Sequence, residues 1–277
     1  MCRRRGRPYG APMTEAKTGS AAVQGRLWGA RADDWARLQQ YTARGSWAVV
    51  LADLAPLAGA ELLDVGCGAG GFAELATRAG AAVTGIDAAA PMIEHAARLV
   101  PRGDFRVGDI EDLPYPDGRF DVVTGFNAFQ YAAEPARALR EAARVAKPGG
   151  RVVAMIWGTA DECEAAAHLA AIGRLLPVPP PGTPGPFALS APGALEALLT
   201  AAGLTPGPRR IVLVRWEYPD ERTMLDALMS SGPAVRAAEH TSAEAVERAI
   251  GEACAPFRRD DGSYRMANAF HHVVCVA

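Results

Sequence analysis

The chain has 277 residues, a formal net charge of −2 and 49% hydrophobic residues, which leaves room for one large domain with additions but not for two full-size ones. The even charge balance carries no footprint of a nucleic-acid partner, and no uninterrupted apolar run reaches the length of a membrane span. The five cysteines show no paired spacing, which points to reduced thiols in a cytoplasmic protein without a disulfide frame or a metal site.

Residues 1–24 are rich in Gly, Ala and Arg without periodicity, and this composition predicts a disordered tail. Its basic start, Met1-Cys2-Arg3-Arg4-Arg5, is not followed by the apolar segment of a signal peptide, and Met13 is an alternative translation start. Deleting Met1 to Pro12 is expected to leave the melting temperature unchanged, since the segment has little apolar surface to pack. A large drop in a thermal scan would show instead that its arginines dock. From Arg26 to Ala58 the pattern turns helical. Trp35, Leu38 and Thr42 share one face, Trp47, Val50, Leu51 and Leu54 another, and Pro56 and Gly59 close the segment.

Glu61 to Val65 reads as a buried parallel strand that stops in Gly66-Cys67-Gly68-Ala69-Gly70-Gly71 and turns into a helix near Phe72. The glycines spell both G-x-G-x-G and the dinucleotide pattern G-x-G-x-x-G, so the turn alone does not name its ligand. Ala82 to Ile86 is a second strand ending in Asp87, and Pro91 opens a helix with a Met92, Ala96, Leu99 stripe. Phe105 to Gly108 leads into Asp109-Ile110, and Phe120 to Gly125 exits toward Asn127. A helix over about Glu134 to Val145, a Lys147-Pro148-Gly149-Gly150 turn and a strand from Arg151 to Trp157 follow. The alternation predicts an α/β, doubly wound sheet that gathers ligands beyond the carboxyl ends of its strands.

Beyond Trp157, Glu162 to Leu176 reads as a helix and Pro177 to Pro186 as a semi-rigid surface connection. Ser190 caps a helix carrying Leu195, Leu198 and Leu199. Arg210 to Tyr218 alternates like a strand, Glu221 to Ser230 and Ala243 to Ala255 are helical, and Tyr264 to Ala277 is a final strand.

The ordered combination from Glu61 to Gly158 resembles the class I S-adenosylmethionine-dependent methyltransferases, in particular the small-molecule branch typified by the ubiquinone/menaquinone C-methyltransferases. The resemblance implies a Rossmann-like, seven-stranded sheet, mostly parallel with an antiparallel C-terminal hairpin. It implies S-adenosyl-L-methionine as cofactor and methyl transfer to the oxygen, carbon or nitrogen of a small, partly apolar acceptor. The methyltransferase domain would span 25–277, with a helical cover over 25–58 and lid insertions at 159–188 and 219–258.

The same resemblance assigns roles. Amides at Gly66, Cys67 and Gly68 would meet the cofactor's carboxylate, and Asp64 its ammonium. Asp87, with Ala88, would meet the ribose, and Asp109, beside Gly108, the adenine amine. Ile110 and Met92 would supply apolar walls, and Asn127 would meet the methionyl portion. Trp28, Trp35 and Tyr41 are candidates for the cover. The loop after the fourth strand has Gln130-Tyr131 where many members carry histidine. Candidate catalytic groups are therefore Tyr131, His240, and one of His271 and His272, which face opposite ways on a strand. His95 and His168, on helices, rank below them. Met224 and Met229 would wall the acceptor, with a homodimer contact as the competing use of the insertions. The alternatives are a nicotinamide-dependent oxidoreductase and a non-catalytic protein that keeps the pocket. Asp64 before the glycines, Asp109-Ile110 and the Lys147 to Gly150 turn speak against the oxidoreductase.

Overall fold

A computed structural model describes residues 19–178 and 185–277. The apolar runs form the centre of one sheet. Strands β1 (Glu61–Val65), β2 (Ala82–Asp87), β3 (Asp104–Val107), β4 (Phe120–Phe126) and β5 (Ala146–Trp157) are parallel, in the order β3-β2-β1-β4-β5. Successive side chains serve opposite faces. Leu62 and Val122 enter one core, and their neighbours Leu63 and Val123 enter the other.

Before β1 lie α1 (Ala21–Gly29), α2 (Ala32–Asp34) and α3 (Arg44–Leu54). The crossovers are α4 (Gly71–Arg78), α5 (Ala90–Leu99) and α6 (Pro135–Val145). After β5 come α7 (Ala166–Arg174), α8 (Ala194–Ala201), β6 (Thr205–Pro206), β7 (Arg210–Tyr218), α9 (Glu221–Met229), α10 (Gly232–His240), α11 (Ala243–Cys254) and β8 (Tyr264–Val276). Strand β8 runs antiparallel to β5 and pairs along its length with β7, which is the expected hairpin with an insertion between its strands. The insertions make one roof, since α7 packs on α11, α11 on α10, and α10 on α1 of the N-terminal cover.

Three details differ from the sequence reading. The sheet has eight strands, because Thr205 and Pro206 pair with Val276 and Cys275. A two-residue strand has no periodicity to read. The last residues of the segment expected to be disordered are ordered, since α1 begins at Ala21; the expectation for residues 1–18 lies outside the described residues, as do 179–184 of the proline-rich connection. Strand β5 begins at Ala146, so the Lys147 to Gly150 turn is an irregularity inside it, with Gly149 at φ 76° and a register shift on β4 between Phe120 and Val122. Among the described residues no helix is long and apolar enough to cross a membrane.

Candidate functional site

A cavity opens at the carboxyl ends of β1, β2, β4 and β5, under the N-terminal cover and the roof. Its floor is the β1–α4 turn. Gly66, Gly68 and Gly70 have φ of 68°, 52° and 87°, a region that L side chains rarely adopt. A Cβ on Gly66 would lie 2.6 Å from that of Ala128, so only glycine lets the turn pass there. The amides expected to form an anion nest are already engaged. Those of Gly66 and Cys67 donate to the Ile86 carbonyl at 2.8 and 3.0 Å, and that of Gly68 to Asp87 Oδ2 at 2.9 Å. The glycines thus contribute close approach and shape rather than three unspent donors.

Asp87 lies at the end of β2, and its Oδ1 accepts the Ala89 amide at 2.9 Å. Each carboxylate oxygen thus holds a backbone donor, with the Ala88 amide as a further partner of the group, and Asp87 lines the cavity. Burial raises its pKa, against the backbone hydrogen bonds from Ala89 and Gly68. Asp64 is 2% exposed, and its Oδ1 accepts the Thr124 hydroxyl at 2.7 Å. Burial pushes its carboxyl up to about 7, with Thr124 opposing and Asp87 adding to the rise. Among the described residues no cation pairs with it. A buried carboxyl facing a cavity without a counter-ion fits a ligand ammonium, and the paired lone pairs of Asp87 fit a vicinal diol.

Asp109 spends Oδ1 on the Glu111 amide at 2.9 Å, an Asx turn, and its Oδ2 faces Gly19, where a Cβ would come within 1.9 Å. Ala88, Met92 and Ile110 line the cavity, while Gly108 does not: its α-carbon faces Ile86. Asn127 lines it with φ 50°, the one positive φ among the described non-glycine residues. Its side chain accepts from Gln130 Nε2 at 3.1 Å.

The three expected catalytic groups separate. Tyr131 lines the cavity, stacks edge-on against Trp28 at 5.3 Å and bonds its hydroxyl to Trp157, while burial raises it to about 12. It therefore keeps its proton near neutral pH. His272 does not line the cavity. It is buried, with Nε2 2.9 Å from Asp53 Oδ2. It shares a strand face with cavity-lining Phe270 but sits two residues further from the ligand end, opposite Met155, and α3 fills that space. His271 faces the other way, 2.7 Å from Glu162. His240 is exposed at the end of α10, whereas the residues of that element lining the cavity, Ser231 and Pro233, are at its start. Met224 and Met229 are core residues, and Leu228 is the lining residue of α9. Tyr41 packs on the core outside the cavity. Asp121, the second residue of β4, lies at the opposite end of the sheet, accepting the Glu61 amide and pairing with Lys147.

Several lining groups have no local sequence signal. Gln39 and Gln40 follow from Trp35–Gln39, a π-helical turn that departs from the 3.6-residue period, and Trp47 reaches the cavity from α3. Gln40 Oε1 accepts the Gly71 amide at 3.1 Å and so caps α4. Glu111, 2% exposed, accepts the Ser20, Glu134 and Ala133 amides at 2.8, 2.8 and 3.1 Å, tying α1 to the loop before α6. Burial opposes its charge, but these bonds hold its pKa below the usual range. His168 and Leu169 of α7 enter beside Trp157, Trp216 and Phe270.

Residues 63–154 match the family model described as "Methyltransferase domain". The ubiquinone biosynthesis O-methyltransferase of Xanthomonas oryzae pv. oryzae (strain PXO99A) is 38% identical over 131 residues, 44% of this chain and 54% of that protein. The chain thus spans about half the length of the curated relatives it matches. A putative methyltransferase of Haloferax volcanii, solved with the Trm112 activator, has a TM-score of 0.57 at 20% identity, covering 92% of this chain and 96% of that one. The [4+2]-cyclase SpnF has a TM-score of 0.55 at 20% identity, covering 91% and 95%. Likenesses this remote show the fold alone. Residues 63–154 thus match a methyltransferase domain, and the fold around them is the one these remote structures share.

Proposed function

We propose that the protein transfers a methyl group from S-adenosyl-L-methionine to a small, partly apolar molecule held in the same cavity. The observation that carries this reading is Asp64, a buried carboxyl that has no cation among the described residues and lines the cavity with the glycine turn. In this reading Asp64 takes the cofactor's ammonium and Asp87 its ribose hydroxyls. Met92, Ala88 and Ile110 flank the adenine, with Asp109 at its edge. Asn127 and the turn from Gly66 to Gly68 border the methionyl portion. The cofactor supplies an activated methyl, so the chain's task is to align an acceptor and exclude water. Trp28, Trp35 and Tyr131 close the cavity over the cofactor side, with Trp28 and Trp35 4.9 Å apart.

Two further features support a small acceptor. The described residues lining the cavity include no Lys or Arg, so nothing there would hold a phosphate backbone. Its aromatic end suits an apolar body. The buried free thiols Cys67, Cys163, Cys254 and Cys275 suit a reducing compartment such as the cytoplasm.

The test is to incubate the protein with methyl-labelled S-adenosylmethionine and a cell extract, then fractionate by size. Label is expected in the low-molecular-mass fraction. Label in RNA or protein, or none above a protein-free control, would overturn the reading.

A further inference from the structure

The roof end of the cavity is aromatic. Trp157 stands 5.5 Å from Trp216 and 5.0 Å from Phe270, ring to ring, and His168 lies 6.3 Å from Trp216. All four line the cavity. His168 is 3% exposed, and among the described residues its Nδ1 has no hydrogen-bond partner; nor does Trp216 Nε1. Buried polar atoms are rarely left unpaired, and each one so left costs stability. Burial lowers the imidazole's pKa to about 4, and no charged neighbour contributes to that shift. The ring is therefore neutral near pH 7, with one unspent nitrogen in an apolar wall.

That combination selects its guest. A flat ring is matched by three aromatic faces. An ion would lose its water without meeting an opposite charge at this end, whereas one hydroxyl, or one N–H when Nδ1 carries no proton, would satisfy the imidazole. Resting on the methyl-transfer reading above, we infer that His168 is the hydrogen-bonding residue of an acceptor subsite for an uncharged planar ring bearing a hydroxyl or N–H, held among Trp157, Trp216 and Phe270.

The test uses three probes, 2-naphthol, naphthalene and 2-naphthoate, measured by equilibrium dialysis near pH 7 with and without S-adenosylhomocysteine. The wild type should bind 2-naphthol best and 2-naphthoate worst. His168→Leu should weaken 2-naphthol about tenfold, to the level of naphthalene, the loss of about one hydrogen bond. It should keep the affinity for S-adenosylhomocysteine and melt no lower than the wild type, because an unpartnered buried nitrogen has gone. His168→Gln, which keeps a hydrogen-bonding group, should recover part of the 2-naphthol affinity. Equal 2-naphthol affinity in wild type and His168→Leu, naphthalene or 2-naphthoate binding as well as 2-naphthol, or no 2-naphthol binding at all would each overturn the subsite. Should S-adenosylhomocysteine fail to bind while the ring probes behave as expected, the methyl-transfer reading falls and the subsite stands.

Discussion

Asp87→Ala is expected to lower the affinity for S-adenosylhomocysteine at least tenfold while the protein stays folded. The two carboxylate oxygens each hold one backbone amide, of Gly68 and of Ala89, both at 2.9 Å. Their remaining lone pairs are the acceptors proposed for the ribose hydroxyls. Hydrogen bonds to a charged group contribute ~1.5–3 kcal/mol each, so losing one of the two already reaches the tenfold threshold. The fold should survive, because the substitution also removes a charge that burial disfavours. The loss would include some disorder of the glycine turn, since Gly68 loses its anchor. Asp87→Asn separates the two contributions. It keeps one acceptor oxygen but presents an NH2 group to a backbone N–H, so it should fall between wild type and Ala. Calorimetric titration beside a thermal scan decides the matter, and unchanged affinity in Asp87→Ala would mean the ribose lies elsewhere.

Asp64→Asn should move stability and binding in opposite directions. The folded carboxyl has a pKa of about 7, against an ordinary 3.8. The native state therefore binds more protons than the unfolded chain between those values. The stability Asp64 contributes is fully present below the unfolded value and lost as pH rises through about 7. Asparagine does not titrate and still accepts the Thr124 hydroxyl. The variant should thus match the wild type near pH 4 and exceed it at pH 8, by up to ~4 kcal/mol at ~1.4 kcal/mol per unit. Cofactor binding should show the converse. Wild-type affinity for S-adenosylhomocysteine should rise as pH passes upward through 7, where Asp64 ionises to meet the ammonium, and that rise should vanish in Asp64→Asn. Denaturant melts at the two pH values and titrations from pH 6 to 8 check both halves. A variant less stable than wild type at pH 8 would show that Asp64 is already paired in the free protein.

Much of this was legible in the sequence where one element carries its own signal. Strands β1, β2 and β4 are apolar runs buried on both faces, each ending in the Gly, Asp or Asn that the cavity exposes. The positions of Asp64, Asp87 and Asn127 follow from that local pattern. The aromatic end of the cavity was not legible, because it is assembled from Trp157 on β5, His168 on α7, Trp216 on β7 and Phe270 on β8, elements with no shared periodicity. His168 reads as one more helical histidine until the three aromatic residues are brought to it. The parity of His271 and His272 was readable, but how far along β8 the cavity extends was not, since Asp53 of α3 fills the space beneath His272. The engaged amides of Gly66 and Cys67 depend on Ile86, a strand away, and a glycine pattern does not report which of its donors are spent.

Titration calorimetry of this 277-residue chain near pH 8 decides whether the cavity holds S-adenosylmethionine. Saturable, one-to-one binding of S-adenosylhomocysteine is expected, with no heat of binding from NADH. Binding of NADH with none of S-adenosylhomocysteine would contradict it.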